Sequence, residues 1–234
     1  MFPLRVTDVK INIKSKRLIG PINLEIEQNG ISILLGANGS GKTTLLEALH
    51  GLRKLSAGKV EWTISHSLAA KEQAFVFQSP IMLRRTVAEN LAFPLKVRQL
   101  SKSTATAEAM TWAKKIGLEN KIKQQAVLLS GGEMQAIAVA RALITKPKML
   151  FLDEPTASLD GATKKTIEDI LISASRNGTK IVMSTHDLGQ AKRLAKDIIF
   201  LHRGLVEAHC SKEEFLTEPT SKAAKQFLAG DIVL

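Results

Sequence analysis

Gly36-Ala37-Asn38-Gly39-Ser40-Gly41-Lys42-Thr43-Thr44 is the stretch from which the rest of the chain can be read. The apolar run before it, Ile31-Ser32-Ile33-Leu34-Leu35, reads as a buried strand. Leu45-Leu46-Glu47-Ala48-Leu49 after it has the apolar spacing of a helix start. Strand, loop and helix in that order fit G-x-x-x-x-G-K-[ST], in which glycines let successive backbone N–H groups turn toward a phosphate. A helix beginning near Gly41 adds unpaired amides and the positive end of its dipole. Lys42 would then reach the β- and γ-phosphates, and the Thr43 hydroxyl would hold Mg²⁺. A glycine-rich turn that binds nothing is the plain alternative. At ordinary glycine usage a chance match in a chain of this length is on the order of one in a hundred.

Composition narrows the class. The 234 residues suffice for one large domain or a domain with a subdomain, and 44% hydrophobic content is ample for a core. No apolar run approaches the roughly 20 residues needed to cross a bilayer. The start, Met1-Phe2-Pro3-Leu4-Arg5-Val6, lacks the apolar centre of a signal peptide. Cys210 is the only cysteine, which suits a reducing compartment and a cytosolic expectation. The net charge of +11 could serve nucleic acid, an anionic membrane surface or a solvated face. Its lysines and arginines are scattered, in runs of no more than two, and aromatic residues make up only 4%, so stacking platforms for single strands are not expected.

Along the chain, alternation over residues 4–35 reads as short strands joined by Lys14 to Pro21, with a turn at Gln28-Asn29-Gly30. Ala57 to Ile64 gives a turn and a strand, and Ala74-Phe75-Val76-Phe77 a compact buried strand ending at Gln78. From Ser79 to Thr145 the period becomes helical. Strands return at Met149-Leu150-Phe151-Leu152, Lys180 to Met183, Ile198 to Leu201 and Leu205 to Ala208, with a helix from Thr163 to Ala174 and a helical tail after Lys212. The expected fold is therefore α/β, a P-loop core with a mostly parallel sheet and an N-terminal antiparallel β region. Its core would span 1–78 and 146–234 of a single domain, and an inserted α-helical subdomain would fill about 79–145.

Two further motifs fall at strand ends or helix starts. Asp153-Glu154 closes the apolar strand from Met149, where Asp153 can hold Mg²⁺ and Glu154 can orient or deprotonate an attacking water. Leu129-Ser130-Gly131-Gly132-Glu133 precedes an alanine-rich helix and makes a second anion-binding helix start. One nucleotide does not need two cradles. The economical reading is that Ser130, Gly131 and Gly132 close over the nucleotide of a second copy.

The ordered set Gly36 to Thr43, Gln78, Leu129 to Glu133, Met149 to Glu154, Ser158-Leu159-Asp160 and His186 resembles an ATP-binding cassette (ABC) ATPase over essentially the whole chain. The resemblance implies that ATP with Mg²⁺ is bound and hydrolysed. It implies that Gln78 is the Q-loop residue touching Mg²⁺ or the lytic water. His186 is then the switch histidine at the γ-phosphate, and Asp160 the D-loop aspartate that communicates across a head-to-tail dimer. It further implies separate membrane permease subunits docking on the helical segment near Ser79 to Asn90. An extracellular or periplasmic substrate-binding protein and a place on the inner face of the cell membrane belong to the same expectation. The compact chain, with its ending Phe227 to Val233, looks most like importers of tungstate-type oxyanions, with phosphate, polar amino acid or metal importers as runners-up. A nucleic-acid or ribosome ATPase is the competing class. The short interval between Thr44 and Leu129 leaves no room for a long coiled coil, and a single cassette is present. Members usually carry an aromatic residue for adenine in a slot that falls here near Ile13, with no Tyr or Trp close by. Adenine is then expected on aliphatic surface or on Lys14 or Arg17. Glu133, Met134 and Ala136 stand where glutamine and basic residues are commoner.

Overall fold

The computed structural model describes residues 1–157 and 159–231. Ser158 of the expected D-loop, and Ile232 and Val233 of the tail, lie outside the described residues.

The chain begins with β1 (Leu4–Ile13), β2 (Lys16–Ile26) and β3 (Ile31–Leu35). Helix α1 (Lys42–His50), β4 (Ala57–Glu61), α2 (His66–Lys71) and β5 (Gln73–Val76) follow. Three helices come next, α3 (Val87–Val97), α4 (Lys102–Lys115) and α5 (Gly131–Leu143), with 3-10 turns at Glu119–Lys121 and Ala126–Leu128. The remainder is β6 (Met149–Asp153), α6 (Gly161–Arg176), β7 (Lys180–Thr185), α7 (Leu188–Leu194), β8 (Asp197–His202), β9 (Leu205–Ser211), α8 (Lys212–Thr217) and α9 (Lys222–Ala229).

Six strands form the central sheet in the order β5-β6-β7-β3-β8-β9, parallel throughout except for the β8–β9 pair. The strands β3, β6 and β7 are buried at every residue, as continuous apolar runs covered on both faces should be. Their side chains alternate between two cores. Ile31, Ile33 and Leu35 pack with α5, α6 and α7 residues, whereas Leu34 joins Leu45, Leu46 and Leu49 of α1 and the inner face of β1 and β2. A third cluster, around Val87, Leu91, Ala109 and Ile137, lies among α3, α4 and α5. A separate antiparallel sheet, β2-β1-β4, covers α1.

The segment Lys14 to Pro21 is not a connection. Ile13 pairs with Lys16, so only Lys14 and Ser15 turn the chain, with Lys14 at a φ of 54°, and β2 is already running at Lys16. A two-residue hairpin turn needs such left-handed geometry, and the exposed Lys16 and Arg17 disguise the strand that follows. Helices α2 and α7 have no counterpart in the sequence reading. Both are short; α7 is capped by Asp187 and buries Ala191 and Leu194 in the core.

Candidate nucleotide site

The loop between β3 and α1 is clamped from two sides. A side chain at Gly36 would stand 2.2 Å from the Leu201 carbonyl oxygen of β8. Gly41 has a φ of 107° and lies under β2, where an added Cβ would meet Ile19 Cγ2 at 2.6 Å. Both positions therefore require glycine. Gly41 caps α1 without a side-chain hydrogen bond, and the first turn holds no acidic residue. The loop thus ends at the positive pole of a helix.

Lys42 is buried, and its ammonium donates to the carbonyl oxygens of Gly36 at 3.0 Å and Ala37 at 3.1 Å. The same ammonium lies 3.4 Å from Glu154 Oε1. Thr43 Oγ1 donates to Asp153 Oδ2 at 2.7 Å. Ser184 Oγ donates to Asp153 Oδ1 at 2.6 Å and accepts from the Glu154 N–H at 2.9 Å. The other oxygen of Glu154, Oε2, is 3.0 Å from His186 Nδ1. Glu154 has a φ of 43°, which costs a non-glycine residue about 1–2 kcal/mol. The contacts with Ser184, Lys42 and His186 hold it there. This chain of residues is assembled from three adjacent strands, β6, β7 and β3, and Asp153 and Ser184 are direct register partners.

The donors suit a magnesium nucleotide. The Thr43 hydroxyl and the Asp153 carboxylate are hard oxygen ligands side by side, and the described residues hold no cluster of three acidic, histidine or cysteine side chains. Such a place supplies one or two protein oxygens and leaves the rest of an octahedron to phosphate and water, the usual habit of Mg²⁺. Ser40 Oγ, in the loop, is buried without a hydrogen-bond partner, an unmet donor where phosphate oxygens would lie.

The remaining expected residues are not brought to this loop within one chain. Gln78 is exposed just after β5. Ser130 is exposed at the N-cap of α5: its hydroxyl accepts from the Glu133 N–H at 3.3 Å, and its own N–H donates to Glu133 Oε2 at 3.0 Å. Lys121 pairs with Glu133 at 2.5 Å. Glutamate at 133 thus closes a capping box. Gly132 sits against α6, with Thr163 Cγ2 3.4 Å and Leu159 Cδ2 3.6 Å from where its Cβ would be. Asp160 caps α6, accepting from the N–H groups of Ala162 and Thr163 and from the Thr163 hydroxyl, and these bonds hold its carboxyl below the usual range. Ile13 is half exposed at the tip of the β1–β2 hairpin beside Lys14 and Lys16.

Sequence reasoning missed a second layer. Ser184 is a polar residue inside a buried strand, and that was the available signal. Asp187 caps α7 through the Gln190 N–H at 2.9 Å and pairs with Lys164 of α6. Burial acts to raise the Asp187 pKa, but the Lys164 ammonium and the Gln190 N–H outweigh it and keep the carboxyl below its usual range. Gln190 Nε2 donates to Thr156 Oγ1 at 2.7 Å and to Glu168 Oε1 at 2.9 Å, and Arg193 grips Glu168 with two bonds. The segment carrying His186 is thereby tied to the one carrying Glu154.

A second concavity, a groove of about 470 Å³, opens between β5 and the helices α3 and α5. Phe77, Ile81, Phe93 and Val97 line it and remain exposed.

A buried lysine on a glycine-rich strand-to-helix loop, facing an acidic pair two strands away in a largely parallel sheet, defines a P-loop nucleoside triphosphatase. Residues 19–157 match the family described as ABC transporter. The chain is 37% identical over 205 residues to the tungstate uptake system ATP-binding protein TupC of Peptoclostridium acidaminophilum, covering 87% of this chain and 96% of that protein. It is 33% identical over 242 residues to the phosphate import ATP-binding protein PstB of Campylobacter jejuni, covering 97% and 98%. The dimeric post-hydrolysis structure of the ATP-binding cassette MJ0796, bound to ADP and Pi, superposes with a TM-score of 0.80 at 27% identity, covering 89% of this chain and 98% of that one. The chain belongs to the ABC transporter family, as an ATP-binding and ATP-hydrolysing cassette of the importer type.

Proposed function

We propose that this cassette energises separate membrane subunits that import an oxyanion of the tungstate type, and that two copies work head to tail. The observation that carries the hydrolytic reading is the unbroken run Thr43–Asp153–Ser184–Glu154–His186, which closes on Lys42 of the loop. Backbone amides from Gly36 to Thr44 and the Lys42 ammonium hold the phosphates. Thr43 and Asp153, with Gln78, would hold Mg²⁺, which would neutralise phosphate charge when bound. Phosphate drawing Lys42 away from Glu154 frees that carboxylate to orient and deprotonate water, and His186 steadies the γ-phosphate from the same side. Ser130, Gly131 and Gly132 lie away from their own loop at an exposed helix start, which supports their use on a partner's nucleotide, with Asp160 at the seam.

Among the described residues no helix is long and apolar enough to cross a membrane; the proposed reading gives the transport path to separate membrane subunits. The groove beside Gln78, with its exposed aromatic and aliphatic side chains on the helical subdomain of about 79–145, supports docking of permease subunits there. On this reading the cassette works at the cytoplasmic face of the membrane, with a substrate-binding protein on the opposite side. The oxyanion rests on the similarity to the tungstate uptake protein, and the phosphate importer's comparable identity makes phosphate the second reading. Uptake assays on the assembled transporter, with tungstate and phosphate competing, decide between them. For the chemistry, Glu154→Gln should keep ATP affinity within about threefold, lower turnover at least about a hundredfold and leave an ATP-bound dimer on size exclusion. Ordinary turnover by that variant would remove Glu154 from its role.

A further inference from the structure

Gln78 sits in an irregular segment between β5 and α3, and three buried or half-buried polar side chains from the helices hold the backbone of that segment. Gln135 of α5, 3% exposed, directs Nε2 at the Phe77 carbonyl oxygen at 3.4 Å, and its Oε1 is buried with no partner. Arg141, also on α5, donates through Nη2 to the Ile81 carbonyl at 2.9 Å and lies 3.5 Å from Asn90 Oδ1. Asn90 of α3 is fully buried; its Nδ2 faces the carbonyl oxygens of Leu83, Arg85 and Thr86 at 3.1, 3.2 and 3.0 Å. Its Oδ1 accepts from the Leu83 N–H at 3.0 Å. Residues 77 to 86 are therefore pinned at 77, 81, 83, 85 and 86, with Gln78 between the first two pins. Phe77, Ile81 and Leu83, whose backbones are pinned, also line the groove with their side chains.

Buried amide and guanidinium groups spent on irregular backbone are costly unless satisfied, and their alternative here would be an apolar helix interface. Their placement makes segment 77–86 one body with α3 and α5, so a push on the groove and a rotation of α5 both arrive at Gln78. We propose that Gln135, Asn90 and Arg141 are positioning residues for hydrolysis, which set Gln78 relative to the Asp153–Glu154 strand end. The inference rests on the role given to Gln78 above.

The test uses Gln135→Met, which keeps side-chain volume and removes an unpaired buried oxygen, and Asn90→Asp, which keeps the acceptor for Leu83 N–H but loses the N–H donors to the Leu83, Arg85 and Thr86 carbonyl oxygens. Gln135→Met should not lower the unfolding temperature, which keeps the test open if the Asn90 variant folds poorly. Hydrogen–deuterium exchange should quicken at residues 77–86 in both variants. In ATPase assays with Mg-ATP, kcat should fall about tenfold with KM for ATP within about twofold, the signature of an interaction made only in the transition state. Wild-type exchange at 77–86, or faster exchange with unchanged kcat, would overturn the proposal. Gln78→Ala is the control: if it hydrolyses ATP like the wild type, the role of Gln78 falls, whereas a slow Gln78→Ala beside a normal Gln135→Met sinks only the positioning set.

Discussion

Ser184 shows how much one hydroxyl can hold. Its oxygen gives its proton to Asp153 and takes one from the Glu154 amide, so it fixes the carboxylate facing Thr43 and the strained backbone of the next residue together. Ser184→Ala leaves a buried carboxylate oxygen and a backbone N–H without partners. The expected cost is about 1–3 kcal/mol of stability. Turnover should drop about tenfold with ATP affinity largely kept, because the displaced group, Glu154, is the one proposed to act on the attacking water. Denaturant unfolding and steady-state hydrolysis on the same preparation check both. A variant as stable and as fast as wild type would show that the strand ends are held by other means.

At the scale of elements, α1 carries a second liability besides its open start. Its last residue, His50, packs edge-on against Phe75 of β5 and Phe151 of β6, with ring centroids 5.5 and 5.7 Å away, and its Nδ1 is buried without a partner. Burial pushes the imidazole down to about 4 from its ordinary 6.5. The folded chain thus binds this proton less readily than the unfolded one. The contribution to stability is complete above pH 6.5 and is lost as pH falls toward about 4. Chemical denaturation should show a loss of about 1 kcal/mol between pH 7.5 and 5.5 that His50→Phe removes. An unchanged slope in that variant would assign the dependence elsewhere. The elements around His50 also mark what the amino-acid order discloses. The strands β3, β6 and β7 were legible because burial on both faces leaves a near-continuous apolar run, and the loop and acidic pair were legible because phosphate chemistry demands those residue types at fixed spacing. The first half of β2 was hidden by Lys16 and Arg17 at an exposed hairpin tip. Asn90, Gln135 and Arg141 were hidden for another reason: they address backbone carbonyls, and a carbonyl has no letter in the sequence.

At the scale of the whole molecule, the proposed assembly makes one chain's helix start part of the other chain's pocket. In mixed dimers carrying Ser130→Arg or Gly131→Asp on one chain, hydrolysis should fail at the loop of the unmodified partner. Marking one loop with Lys42→Ala identifies which of the two sites still turns over. Failure confined to the modified chain's own loop would contradict the head-to-tail arrangement. The groove and Gln78 share the pinned segment 77–86, so in the proposed assembly an event at the membrane has a short route to Gln78. That route runs through hydrogen bonds rather than through the sheet.

The pairing of Asp153 with Ser184 across the β6–β7 ladder has a consequence for how such a machine can be adjusted. A parallel sheet buried on both faces holds its register strongly, so the strand end that carries Asp153 cannot slip by a residue without turning its core side chains to the wrong face. Natural variation and laboratory evolution alike would therefore have to work on the throttle and leave the combustion chamber alone. Changes of rate should accumulate in the residues that tether the loops, while the strand tips stay as they are.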